Sequence, residues 1–145
     1  MRLFSRRPAL LGALLGWLLL AGNSQADSLQ PTHEFTLDNG LRVIVREDHR
    51  APVVVSQLWY RVGSSDEPPG LTGISHALEH MMFKGSERVA PGQASRLLGQ
   101  LGAQENAFTS RDYTAYYQII GRDQLAIALE LEAERMHRLS LPEDE

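Results

Sequence analysis

The sequence predicts an α+β fold: a mostly antiparallel sheet with helices packed on one side. Three observations carry that prediction. Runs with the two-residue period of strands occupy 33–63 and return at 104–120. Helical periodicity appears in three separate stretches, near 71–84, 91–101 and 122–139. The resulting order is hairpin, strand, helix, helix, strand, strand, helix, which lacks the regular strand–helix alternation of a parallel sheet.

The elements follow in turn. In "HEFTLDNGLRVIVRED", Phe35 and Leu37 alternate along one arm and Leu41, Val43 and Val45 along the other. Between them Asn39-Gly40 supplies residues that tolerate the positive φ of a tight turn, so a hairpin is expected. "VVVSQLWYRVG" (53–63) is β-branched and aromatic, and apolar on both faces for much of its length, which predicts a central strand. "SSDEPPG" (64–70) reads as a polar loop. A helix is predicted from about Leu71 to Lys84 with Gly85 as its stop, and a second one begins at Pro91, with Ala94, Leu97, Leu98 and Leu101 on one face. "QENAFTS" and "YTAYYQII" read as two strands joined at Arg111-Asp112. In the last helix Leu125, Ala128, Leu129, Met136 and Leu139 share a face, and Glu130, Glu132 and Glu134 fall mostly opposite, as a solvated face would.

Residues 1–26 stand apart. Arg2, Arg6 and Arg7 precede an apolar run from Ala9 to Ala21, and Ser24 and Ala26 occupy the small-residue positions of a cleavage site. That layout predicts a secretory signal peptide cut after Ala26. The apolar run is shorter than the roughly 20 residues that span a bilayer, so no stable membrane anchor is expected after cleavage. The expected location is therefore exported: periplasmic in a Gram-negative bacterium, secreted otherwise. Removing three arginines and no acid leaves a body more acidic than the whole chain's −4, with no basic stripe, which argues against a nucleic-acid partner. The 145 residues contain no cysteine, so a metal must be held by His, Asp or Glu.

Such residues gather in "GISHALEHMMFKG" (73–85). With His76 at zero on a helical wheel, His80 lies at about 40° and Glu79 at about −60°, whereas Ile74, Leu78, Met81 and Met82 lie between roughly 140° and 240°. One side is thus expected to enter the core while the other presents two imidazoles and a carboxylate. Histidines at i and i+4 can aim at one zinc ion, and the adjacent glutamate can act as general base toward its water. H-x-x-E-H is a zinc-peptidase signature in its own right. The bland alternative is a pair of histidines satisfying a core helix with Glu79 solvated; simple zinc capture is disfavoured because it needs no positioned base. A catalytic zinc takes a third protein ligand. Local candidates are Glu105, Asp112, Glu130, Glu132, Glu134 and His137.

"VGSSDEPPGLTGISHALEHMMFKGSE", "ENAFTSRDYTAYYQII" and "IALELEAERMHRL" together resemble the insulinase/pitrilysin family of zinc metallopeptidases, to which the mitochondrial processing peptidase belongs. The resemblance runs from about Phe35 to the end. It implies that His76 and His80 bind zinc, that Glu79 is the base, and that Asn106, Ala107 and Phe108 lie on an edge strand where an extended peptide substrate pairs. Read alone, those three residues fit an ordinary half-buried strand. It also implies a third ligand, a glutamate on a later helix beyond Glu145, and a homologous second half-domain or partner subunit. Residues 27–145 are accordingly expected to form an incomplete metallopeptidase half-domain, the N-terminal part of a longer zinc endopeptidase acting on peptides or small unfolded proteins, with little activity alone. The alternative is a non-catalytic structural or partner subunit, whose usual mark, a degenerate metal motif, is missing here.

Overall fold

The computed structural model describes residues 31–141. The signal peptide predicted over 1–26 and the last four residues lie outside them. The chain divides into two compact units, one ending at Asp48 and the other beginning at His49.

The described part of the first unit is the predicted hairpin. Strands β1 (Thr32–Thr36) and β2 (Arg42–Arg46) pair antiparallel with Thr36 opposite Arg42. The Gly40 amide donates to the Leu37 carbonyl (2.8 Å), and the Leu37 amide to the Leu41 carbonyl (2.9 Å). Only Gly40 takes positive φ, 87°; Asn39 contributes its side chain instead, accepting the Leu41 amide at 3.0 Å. The turn is therefore a three-residue loop ending in a left-handed glycine, one residue longer than the tight form Asn-Gly most often makes.

The second unit is a three-stranded antiparallel sheet with helices on one face. The strands are β3 (Val53–Tyr60), β4 (Gln104–Thr109) and β5 (Thr114–Gly121), in the order β3-β5-β4. The middle strand is β5, not β3 as the sequence predicts. The reason is visible in burial. Thr114, Ala115, Tyr116, Gln118 and Ile120 of β5 are buried, whereas β3 exposes Val53, Val55 and Trp59 and half-buries only alternate residues. Apolar character on both faces of β3 reflects contacts other than two flanking strands. One is an aromatic cluster on the face away from the helices, where Trp59 meets Phe108 (centroids 5.8 Å apart) and Tyr113 (5.0 Å).

The helices are α1 (Ile74–Met81), α2 (Gln93–Gln100) and α3 (Leu125–Arg138). Leu98 of α2, Ile120 of β5 and Ala128 of α3 form the buried core, with Ala103 and Leu131 packed against it. Burying a leucine or isoleucine side chain contributes about 1.5–3 kcal/mol, so these contacts are what hold α2 and α3 to the sheet.

Two helical faces differ from prediction. On α3 the buried positions are Ala128, Glu132 and Arg135, while Leu129 and Met136 face outward. Of the three glutamates read as a solvated face, only Glu130 is exposed; Glu132 and Glu134 are largely buried. Arg135 Nη2 lies 3.3 Å from Glu132 and 3.8 Å from Glu105, its guanidinium stacks over Phe83 (4.8 Å) and Tyr116 (5.0 Å), and Gln118 donates to Glu132 at 2.8 Å. A buried ion pair with aromatic faces around it thus replaces the apolar seam. Burial, with the nearby Glu132 charge adding to it, pushes the Tyr60 hydroxyl up to about 12. On α1, Ile74 and Leu78 are 49 % and 45 % exposed, and Glu79, at 7 %, is the buried residue. The helix lies on β4 through Glu79, a residue expected on the open side, and exposes Ile74 and Leu78; His76 and His80 stay on the open side as expected.

Candidate metal centre

The position of α1 is set from outside the helix. Gly73, its N-terminal boundary, sits at φ 92°, a conformation that suits glycine, so the helix starts three residues after the predicted Leu71. Gly73 has no side chain to cap the free amides. Glu67 supplies the cap from the preceding loop: Oε2 accepts the Gly73 amide (2.8 Å) and Oε1 the Ser75 amide (3.0 Å). The Gly73 bond, then the Ser75 bond, hold the Glu67 carboxyl below its ordinary range. A negative charge here also opposes the positive end of the helix dipole.

The loop that carries Glu67 is docked in turn. Ser64 and Ser65 amides donate to the Ser110 and Arg111 carbonyls (3.0 and 2.8 Å), and Ser75 Oγ donates to the Gly63 carbonyl (3.2 Å). At Gly63 a Cβ would stand 2.4 Å from the Ser110 carbonyl oxygen, so the β3 exit meets the β4–β5 turn with no room for a side chain. Helix, loop and hairpin turn are thereby tied together around one cleft.

Of the three predicted residues on α1, His76 and Glu79 line that cleft, and His80 stands beside His76. His76 Nε2 and His80 Nε2 are 3.1 Å apart, with ring centroids 4.7 Å apart, and both side chains are exposed. Two nitrogens bound to one tetrahedral zinc at 2.0–2.1 Å would stand about 3.3 Å apart, so the pair fits a shared ion and its donor type suits zinc. Glu79 lies on the sheet side of the same helix, where Thr109 Oγ1 donates a hydrogen bond to its Oε2. His76, Glu79, Ala107, Phe108, Thr109 and Arg111 line an open cleft of about 590 Å³.

Strand β4 forms one wall. Among the described residues it pairs with β5 alone. The Ser110 amide bonds the Tyr113 carbonyl (2.8 Å), and antiparallel alternation from that pair turns the main chain of Phe108 and Asn106 toward β5 and leaves that of Ala107 and Thr109 on the open edge. Asn106 Oδ1 accepts the outward Ala107 amide at 2.9 Å. Of the predicted substrate residues, then, Ala107 and Phe108 line the cleft, and Asn106 folds its side chain onto the free edge.

None of the local third-ligand candidates joins the histidines. Glu105 and Glu132 face Arg135; Glu134 accepts from Ser86 Oγ (3.1 Å) and the Arg88 amide (3.2 Å); Asp112, Glu130 and His137 are exposed. Among the described residues no group of three His, Asp or Glu side chains is arranged to hold a metal.

The family model for insulinase (peptidase family M16) matches residues 42–145. This chain belongs to the insulinase family. A Helicobacter pylori zinc protease, PqqE, is 38 % identical over 128 residues, which is 87 % of this chain and 29 % of that protein. A probable β subunit of the mitochondrial-processing peptidase of Arabidopsis thaliana is 35 % identical over 99 residues, 68 % of this chain and 19 % of the relative. The crystal structure of a protease from Helicobacter pylori superposes with a TM-score of 0.77 at 36 % identity, covering 80 % of this chain and 28 % of that one. This insulinase-family chain therefore spans less than a third of the length of these relatives.

Two residues of the site escaped the sequence reading. Glu67 had a signal: an acid shortly upstream of a helix whose own boundary residue is glycine. Thr109 had none, because its partner Glu79 is 30 residues away.

Proposed function

We propose that this chain carries the base and two zinc ligands of a zinc-dependent endopeptidase that hydrolyses peptides or small unfolded proteins. One observation carries the reading: two imidazole nitrogens stand 3.1 Å apart on the helix that bears Glu79, and His76 and Glu79 line a cleft walled by the edge of β4, which among the described residues pairs with β5 alone. His76 and His80 would hold the zinc, which when bound supplies Lewis acidity toward a carbonyl and lowers the pKa of water. Glu79 takes a proton from the attacking water on a carboxylate oxygen and returns it to the departing amine nitrogen. The outward main-chain groups of Ala107 and Thr109 receive an extended peptide as an added strand, which aligns its backbone beside Glu79. For this the Asn106 side chain releases the Ala107 amide.

The third zinc ligand, in this reading, is a glutamate beyond Glu145, and a second half-domain or a homologous partner subunit completes the cleft. The 145 residues alone then bind zinc weakly and turn over little substrate. Residues 1–26 direct export, to the periplasm in a Gram-negative cell. The names of the relatives as zinc proteases support the class of reaction.

The test is Glu79→Gln in the longest natural chain that carries this sequence. Zinc content should persist and peptide cleavage should disappear. Cleavage that survives the change refutes the assignment of the base, and a wild-type protein without stoichiometric zinc favours the non-catalytic subunit.

A further inference from the structure

We infer that Thr109 is a positioning residue that fixes the Glu79 carboxylate against the substrate strand; the inference rests on the reading of Glu79 as the base. A count of protons leads to it. Each threonine hydroxyl has one to donate. Thr114 Oγ1 lies 3.0 Å from the Val62 carbonyl oxygen and 3.5 Å from Thr109 Oγ1, so its proton goes to the carbonyl. Thr109 Oγ1 is left with one anionic acceptor, Glu79 Oε2. The direction of the bond is therefore set: threonine donates and carboxylate accepts. Oε1 takes no hydrogen bond from the described residues and is the oxygen left for proton transfer.

The same residue also faces the substrate. Thr109's main-chain groups lie on the open edge of β4, whereas its side chain reaches across to α1. A peptide paired with that edge and the carboxylate that serves it are thus referenced to one Cα. A carboxylate with three rotatable bonds, buried at the helix–strand contact, would otherwise be free to turn away from the cleft.

Thr109→Val keeps the β-branched shape and removes the donor; Thr114 keeps its bond to Val62. Thr109→Ser keeps the donor and removes a methyl group. Both are made in the longest natural chain carrying this sequence, beside Glu79→Gln, and each is measured for zinc content, for kcat and KM on a peptide, and by crystallography. Thr109→Val should retain zinc and KM within about twofold, lose about 10–100-fold in kcat as loss of an orienting partner typically does, and show the Glu79 carboxylate displaced. Thr109→Ser should restore both its position and most of the rate. A carboxylate that stays in place in Thr109→Val overturns the proposal whatever the kinetics show. So does a Thr109→Val rate within about twofold of wild type while Glu79→Gln is dead. Cleavage surviving in Glu79→Gln, with the carboxylate displaced in Thr109→Val, would instead remove the base assignment and leave Thr109 as the residue that holds Glu79.

Discussion

His76 and His80 bring their Nε2 atoms to 3.1 Å from each other across one turn of α1. Neither ring is buried, so neither is serving as a core hydrogen-bonding group, and the bland explanation of the pair loses its footing. Replacing either histidine by alanine should weaken zinc binding by at least about 100-fold, since even orienting partners of metal ligands cost 10–100-fold. Zinc content after dialysis against a graded chelator series checks this. Undiminished zinc in both variants would place the ion elsewhere.

Glu67 reaches the same pair indirectly, by fixing the start of their helix. Its folded pKa is lowered, so its contribution to stability is complete above the unfolded value and is lost as pH falls through the folded one. The window opens at about pH 4.5 and extends downward. Glu67→Gln should therefore flatten the loss of stability below that pH and lower zinc affinity at neutral pH. Thermal melts from neutral to acid pH measure the first and competition with a zinc indicator the second. Glu34, whose pKa is also lowered, by its bond to Arg42, adds a slope of the same sign, so the comparison is between variant and wild type at each pH.

The outward Ala107 amide provides a way to test strand pairing without disturbing the sheet. Ala107→Pro removes an amide that β5 does not use. One hydrogen bond contributes about 0.5–1.5 kcal/mol, so KM for an extended peptide should rise about 2–10-fold while zinc content stays unchanged. An unchanged KM would show that substrate does not take this edge.

Arg135 tests the buried charge network. Its side chain is 7 % exposed and stands between Glu132 and Glu105. Arg135→Ala leaves both carboxylates buried without their counter-charge and should cost about 3–5 kcal/mol in urea unfolding. Combining Arg135→Met with Glu132→Gln and Glu105→Gln should recover much of that loss, because the buried charges then disappear together.

What could be read in advance follows from how local each determinant is. The grouping of His76, Glu79 and His80 on one helix was legible because an i, i+4 pair with a neighbouring acid lies within a single turn, and so was the hairpin at Gly40. The side of α1 that meets the sheet was not. Its wheel shows an apolar face through Ile74 and Leu78, yet the helix is seated by Glu79 on Thr109, a contact across 30 residues. The same applies to α3, where Glu132 reads as solvated until Arg135, Glu105 and Tyr116 are seen around it. Strand β3 looked central because apolar residues on both faces do not say whether the neighbour is a strand or an aromatic cluster.

The proposed chemistry stands or falls with two imidazoles sharing one ion. Anomalous diffraction at the zinc edge, on crystals of the longest natural chain carrying this sequence, decides it. A single strong peak about 2.0–2.1 Å from Nε2 of both His76 and His80 is expected. A zinc peak away from both rings, or bound to only one, would contradict the shared site.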